Sequence, residues 1–277
     1  MAIITISRGS MSGGQALAEC LAQELGYPCV GREVVIEAAQ KLGVSEEVLS
    51  KKFEKSPGLW ARLTSDRRLY IIAVQAALAE HAVSGDLVYH GHAGHLLLKG
   101  LSALLRVRLI APLEMRVRAV MERQHLSHDA AVEYIQAVDD ERIRWTKFIY
   151  GVDWRDPSLY DLVINLENMS IRTACKVVQA CVMQPEYQVT DAVRQGLQDF
   201  LLACRVKVAL AGNPQTRGVE CEVTANEGVV DIAAILPAGA LLARTTMRAE
   251  NEIRETVMKV EGVKGVRLSI KEYDAYH

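Results

Sequence analysis

The chain has 277 residues, half of them hydrophobic and 24% charged, which is enough apolar material for one large core or two smaller ones. A net charge of −2 excludes a general electrostatic attraction to nucleic acid or to an anionic membrane. Six cysteines without a C-x-x-C pair read as reduced thiols of a cytoplasmic protein, and no apolar run approaches the ~18 residues of a transmembrane segment.

Ala2–Ser7 is a nearly continuous apolar run and reads as a buried parallel strand. The chain enters that strand at once, so no secretion signal is expected. Arg8–Gly14 is small, polar and glycine-containing, and from Gln15 onward Leu17, Leu21 and Leu25 form a helical stripe. Strand, glycine turn and helix is the layout of a loop that aims backbone N–H groups and a helix dipole at an anion. Against the pattern G-x-x-x-x-G-K-[ST] the loop is degenerate. Arg8 stands at the first Gly, Gly13 at the second, Gly14 at the Lys and Gln15 at the Ser/Thr. The same layout also occurs in α/β proteins that bind no phosphate.

Gly26 and Pro28 stop this helix, Cys29-Val30 is a brief strand, and Arg32-Glu33 opens a second helix running to Leu42. An Arg and a Glu at the top of a strand suit either a polar ligand or a solvated helix start. Residues 45–84 read as largely helical, with Ser45 as a cap. Within them Lys51–Arg68, broken by Pro57-Gly58, is either a flap over a site or a surface connection. Asp86–His90 is a buried-type strand, and the turn Gly91–His95 after it belongs at the same sheet edge as the first loop. His90, His92 and His95 lack a clear carboxylate or Cys partner, so hydrogen bonding or packing outweighs a metal site there.

Arg106–Ala111 is the next strand, followed by a helix Leu113–Gln124 that carries Arg116, Arg118 and Arg123. Ser127 caps a further helix reaching Tyr150. Its stretch with Arg142, Arg144 and Lys147 is either a face laced with i,i+4 ion pairs or a lid that brings guanidinium forks onto phosphates. Tyr160–Asn165 is the fifth short strand, and Ser170 starts the helix Ile171–Val182. Strands alternating with helices predict an α/β fold with a five-stranded parallel sheet covered on both faces. After a linker at Met183–Thr190 the rhythm changes. A helix Thr190–Cys204, a hairpin in Gly218–Leu236 turning at Asn226-Glu227-Gly228, a helix Leu241–Val260 and a strand Val266–Ile270 make a small α+β unit. The expected division is therefore 1–183 and 190–272.

Residues 1–182 resemble the cytidylate-kinase-like family of nucleoside monophosphate kinases, on the stretches ITISRGSMSGG, LIAPLEMRVRAVMER and YGVDWRDPSLYDLVIN. The resemblance implies the P-loop fold of the adenylate and cytidylate kinases. It implies ATP and Mg2+ as cofactors, and transfer of the γ-phosphoryl group to a pyrimidine monophosphate, CMP first. Carried over by position, it implies that Ser12, Gly13 and Gly14, with Gln15 beside them, cradle phosphates, and that Arg8 offers substitute charge for the missing Lys. It puts Arg32 and His92 at the acceptor, and Arg123, Arg142 and Arg144 in or beside a catalytic lid. No residue is matched to a metal, and Arg155 receives no role. The substitutions at Gly14 and Gln15 also admit a protein that binds or senses nucleotides with impaired catalysis. Residues 190–272 resemble a BON domain in element order and in the closing VEGVKGVRLSI. That resemblance implies binding to phospholipid surfaces or to partner proteins, and with no secretion signal expected a regulatory role or self-association is favoured over a membrane one.

Overall fold

A computed structural model describes residues 1–41, 64–236 and 243–272. The helix start expected at Ser45 and most of the stretch 51–68 lie outside the described residues. The first sheet contains β1 (Ile3–Arg8), β2 (Cys29–Val30), β3 (Leu87–Tyr89), β4 (Leu104–Ile110) and β5 (Leu162–Asn165), in the order β2-β3-β1-β4-β5. Every pairing is parallel, with Ile3 of β1 opposite Leu87 of β3 and Leu104 of β4. Three-quarters of these strand positions are apolar because both faces are covered, which is what makes β1 read as a continuous run rather than an alternation.

The pleat sorts successive side chains to opposite faces. Ile3, Leu87, Tyr89 and Leu104 turn to one side, where α2 (Glu33–Lys41), α3 (Thr64–Ala82) and a short α4 (Gly94–Leu97) bury Val34, Val74, Leu78 and Leu97 against them. Ile4, Ile6, Val88, Leu105, Val107 and Leu109 turn to the other, under α1 (Gly14–Leu25) and α7 (Ile171–Val182). Between these, α5 (Leu113–Gln124) and α6 (His128–Tyr150) follow β4 as an arm packed on its own cluster of Val117, Val120, Ala131 and Ile135. Ser127 and Ser170 cap α6 and α7 by accepting from the N–H groups of Ala130 and Thr173, as their position before an apolar stripe predicts. The chain leaves β1 toward one edge and β3 toward the other, so a crevice opens at the carboxyl ends of these two neighbours.

Residues 183–190 form a pinned connection. Val189 N–H donates to the Met1 carbonyl at 3.1 Å, and the Met1 ammonium donates to Gln188 Oε1 at 3.3 Å. Beyond it α8 runs from Asp191 to Gly212, eight residues past the end expected at Cys204. Arg205-Val206-Lys207-Val208 alternates like a strand, but Val206 and Leu210 are buried in a second core and burial overrides that propensity. That core closes on an antiparallel hairpin, β6 (Glu220–Asn226) and β7 (Val229–Leu236), with α9 (Ala243–Met258) and β8 (Gly265–Glu272), the last parallel to β7. The hairpin turns on two residues, Glu227 and Gly228, both at positive φ, while Asn226 pairs with Val229 inside the ladder. α8 is common to both cores: Leu197 joins the first sheet's cluster, Leu201 and Cys204 meet Ala76 and Ala79 of α3, and Leu202, Val206 and Leu210 meet the second sheet. Among the described residues no helix is long and apolar enough to cross a membrane.

Candidate functional site

The crevice at the ends of β1 and β3 is built from the loop after β1. Met11 and Gly13 adopt positive φ, 56° and 78°, and Ser12 N–H donates to the Gly9 carbonyl at 3.3 Å. Leu17 N–H then donates to Gly13, opening α1 at Gly14. No side chain caps α1 and no acidic residue sits in its first turn, so its leading amides face the turn as ready donors for an anion. Ser12 is buried in the loop. Gln15 is not: it lies exposed along the helix, donating to Glu19 at 2.8 Å.

Two guanidinium groups flank the loop. Arg8, the last residue of β1, folds its side chain across Gly14 and donates to the carbonyl of His90 at the end of β3. Burial, and then the charge of Arg142, hold its pKa down at about 10, so it stays cationic at neutral pH. Arg142, on the inner face of α6, donates to the Arg8 carbonyl at 2.9 Å. Together with Ser7, His92, His95 and Trp154 these arginines line a cavity of about 70 Å³. Gly91 and Gly94 are required here, because a Cβ at either would run into the ring of Tyr89, whose hydroxyl donates to the His92 carbonyl at 3.2 Å.

The loop is held from behind by a clamp that sequence reasoning missed. Asp139 of α6 accepts from Ser10 N–H at 3.0 Å and from Arg116 Nη2 at 2.5 Å, and Arg116 Nε donates to the Ser10 carbonyl at 2.6 Å. Both backbone groups of Ser10 are thus fixed by side chains more than a hundred residues away. The available signal was the position of Arg116 in the first turn after β4, at the same sheet edge as the loop.

His92 and His95 belong to the cavity wall as neutral rings. His92 packs edge-on against Trp145, and burial followed by Arg142 pushes its pKa down to about 3. His95 lies 3.3 Å from the Tyr160 hydroxyl, and burial followed by Arg106 pushes it down to about 4. Tyr160 in turn donates to the Trp154 carbonyl at 2.6 Å, where Arg108, stacked over the Trp154 ring, also donates. An unfolded chain takes up a proton at each His near pH 6.5, whereas the folded one resists to about pH 4. The stability that these two rings contribute is therefore full above pH 6.5 and falls on acidification. The buried His95 should account for about 2 kcal/mol by pH 5. Urea unfolding at pH 7 and pH 5 checks this, and His95→Gln, which cannot titrate, should flatten the dependence.

Other residues singled out from the sequence fall elsewhere. Arg144 lies two positions beyond Arg142, about 200° round the helix, and pairs with Glu141 at 2.8 Å on the exposed side. Arg123 is exposed in the last turn of α5 and does not line the cavity. Arg32 is exposed at the start of α2, next to Gly31, where a Cβ would run into the ring of His90. Arg155 is paired with Asp153. Among the described residues no three His, Cys, Asp or Glu side chains converge on one point. Magnesium carried in with a nucleotide needs only one or two protein oxygens beside the phosphates, and the described residues build no dedicated cage for it. The hydroxyl position of the loop is Gln15, and Asp139, Asp153 and Asp161 are engaged by Arg116, Arg155 and Arg106.

A family model described as the cytidylate kinase-like family matches residues 3–168. A cytidylate kinase of Methanopyrus kandleri is 32% identical over 182 residues, 65% of this chain and 92% of that protein. A cytidylate kinase of Sulfurisphaera tokodaii is 28% identical over 179 residues, 64% of this chain and 93% of that one. In fold, the chain is similar to the crystal structure of an uncharacterized protein from Eubacterium ventriosum, with a TM-score of 0.52 at 16% identity over 66% of this chain and 99% of the other.

Proposed function

The chain belongs to the cytidylate kinase-like family, and from that premise we propose that it is an ATP-dependent nucleoside monophosphate kinase whose acceptor is a pyrimidine monophosphate, CMP in the first place. The observation that carries the proposal is the amide-lined turn between β1 and α1 facing two guanidinium groups, Arg8 and Arg142, at the switch point of the sheet. The ATP phosphates lie over Ser12, Gly13 and Gly14, with the leading amides of α1 as donors. Arg142 and Arg8 face the γ-phosphoryl group and neutralise the charge that spreads over its oxygens during transfer. The acceptor enters from the β2–β3 side, toward Arg32 and His92, and His92 meets it as a neutral hydrogen-bonding ring.

Phosphoryl transfer asks the protein for alignment and charge neutralisation rather than for covalent chemistry, so guanidiniums and amides suffice. Magnesium, when bound with ATP, would neutralise part of the phosphate charge. The described residues hold no dedicated cluster of ligands for it, and no step here depends on one. Arg123 and Arg144 lie outside the cavity, so the proposal rests on Arg8 and Arg142.

The test is a coupled assay with ATP and each of CMP, dCMP, UMP, AMP and GMP. Turnover highest with a cytidine monophosphate is expected, and absence of turnover with every acceptor overturns the reading. A second reading is favoured by Gly14 and Gln15, which remove the ammonium and hydroxyl of the usual loop. It is a nucleotide-binding or sensing protein of impaired catalysis, and calorimetry giving tight ATP binding without turnover selects it.

For residues 190–272 we propose a BON-like unit with a regulatory role, engaging a protein partner or a second copy of the chain. The order α8, β6, β7, α9, β8 supports it. A cytoplasmic setting belongs to the same proposal, supported by six cysteines that are all free thiols.

A further inference from the structure

Gly14 is not demanded by the backbone. It is the first residue of α1, its φ lies outside the left-handed region, and a helix is ordinarily weakened by glycine rather than helped. What excludes a side chain there is Arg8. A Cβ at Gly14 would fall on Arg8 Cδ and lie 2.7 Å from Nε and 3.1 Å from Cγ. In the loop pattern G-x-x-x-x-G-K, residue 8 is the position of the first Gly and residue 14 that of the Lys. Each position therefore holds the type of residue the other end requires: a long cation where glycine belongs, and glycine where the long cation belongs.

Resting on the kinase reading above, we propose that Arg8 and Gly14 are a reciprocal exchange. The phosphate-binding cation of the loop has moved from the start of the helix to the end of the strand and reaches the same space from the opposite side. Arg8 also has the surroundings of a group built to meet an anion. It is half-buried, its bond to the His90 carbonyl uses one of five N–H groups, and among the described residues no carboxylate forms an ion pair with it. A second guanidinium, Arg142, stands against it rather than a counter-charge. Arg142 is paired with Asp139 at 3.8 Å, whereas Arg8 has no such carboxylate among the described residues; beside the leading amides of α1, Arg8 is suited to the phosphoryl oxygens of a nucleoside triphosphate. The planar fork further predicts two-pronged contact with one phosphate, where an ammonium acts as a point charge.

The exchange is tested by a four-protein cycle: wild type, Arg8→Gly, Gly14→Lys and the double variant. ATP and ADP affinity are measured by calorimetry, and folding by thermal melts. Arg8→Gly should weaken ATP about tenfold to a hundredfold, the scale of lost charge-assisted hydrogen bonds, and should weaken ADP less. Gly14→Lys alone should also weaken ATP, because two long cations cannot share the space. The double variant should recover ATP affinity to within a few-fold of wild type, a strong coupling between neighbours. Should Arg8→Gly fail to fold, Arg8→Gln keeps most of the side chain without its charge and is read in its place. Wild type that binds ATP while either single variant binds it equally well, or a double variant that loses the product of the two single losses, overturns the exchange and leaves the kinase reading standing. Wild type that binds no nucleotide overturns both.

Discussion

Replacing Arg142 by alanine should lower the rate of phosphoryl transfer by about a thousandfold while changing the KM for ATP by far less. The size of the effect follows from where this side chain is held. It comes from α6, an element far from the loop in sequence, and reaches the loop backbone at the Arg8 carbonyl on the wall of the cavity. Asp139, one turn earlier at 3.8 Å, and Thr146, one turn later, whose hydroxyl donates to the Arg142 carbonyl at 2.9 Å, lie on the same face of the helix. A guanidinium fixed in this way incurs little reorganisation when charge builds on the transferring group, and arginines placed so contribute roughly 10³–10⁵ in rate. Arg142→Lys should recover only part of the loss, since a single ammonium cannot span two phosphoryl oxygens. Steady-state kinetics in the coupled assay check both variants. An Arg142→Ala enzyme with unchanged kcat would remove Arg142 from the chemistry.

Asp139→Ala should cost about 3 kcal/mol of stability and weaken ATP binding at the same time. The side chains of Arg116 and Asp139 are only 13% and 20% exposed, and Asp139 is the carboxylate that meets Arg116 behind the loop. Removing it strands a largely buried cation and leaves the Ser10 N–H without its acceptor, the combination that makes breaking a buried pair costlier than the pair is worth. Asp139→Asn keeps an acceptor for Ser10 and should cost roughly half as much. Urea denaturation gives the stabilities, and calorimetry the ATP affinities. If Asp139→Ala loses stability but binds ATP normally, the clamp supports α6 and not the loop.

The strands were legible because both faces of the first sheet are covered: runs such as ITIS, LVY and LVIN need no tertiary information to be read as buried. Ser127, Ser170 and Thr190 marked helix starts for a local reason, a hydroxyl placed to accept an N–H three residues on. The turn at Gly13 was legible for the same reason, since its geometry is contained within a few residues. The overlong α8 was not, because Val206 and Leu210 become helical only once a second sheet buries them. Arg144 was grouped with Arg142 by proximity in sequence, where helical periodicity sets them on opposite sides. The clamp of Arg116, Asp139 and Ser10 joins three elements, and no window of sequence contains it. The crossing of Arg8 over Gly14 depends on which way one side chain turns, which residue types alone do not specify.

The helix shared by both cores has a practical corollary. Ending the chain near Met183 to obtain a minimal enzyme would strip Leu197 and Leu201 from the partners they cover on α3 and beside the first sheet, leaving Ala76, Ala79 and their apolar surroundings open to water. Such a fragment would be prone to aggregate even with every residue of the phosphate loop intact. Helix α8 is thus a cover on the hydrophobic interior around the first sheet, whatever else the residues beyond it come to bind.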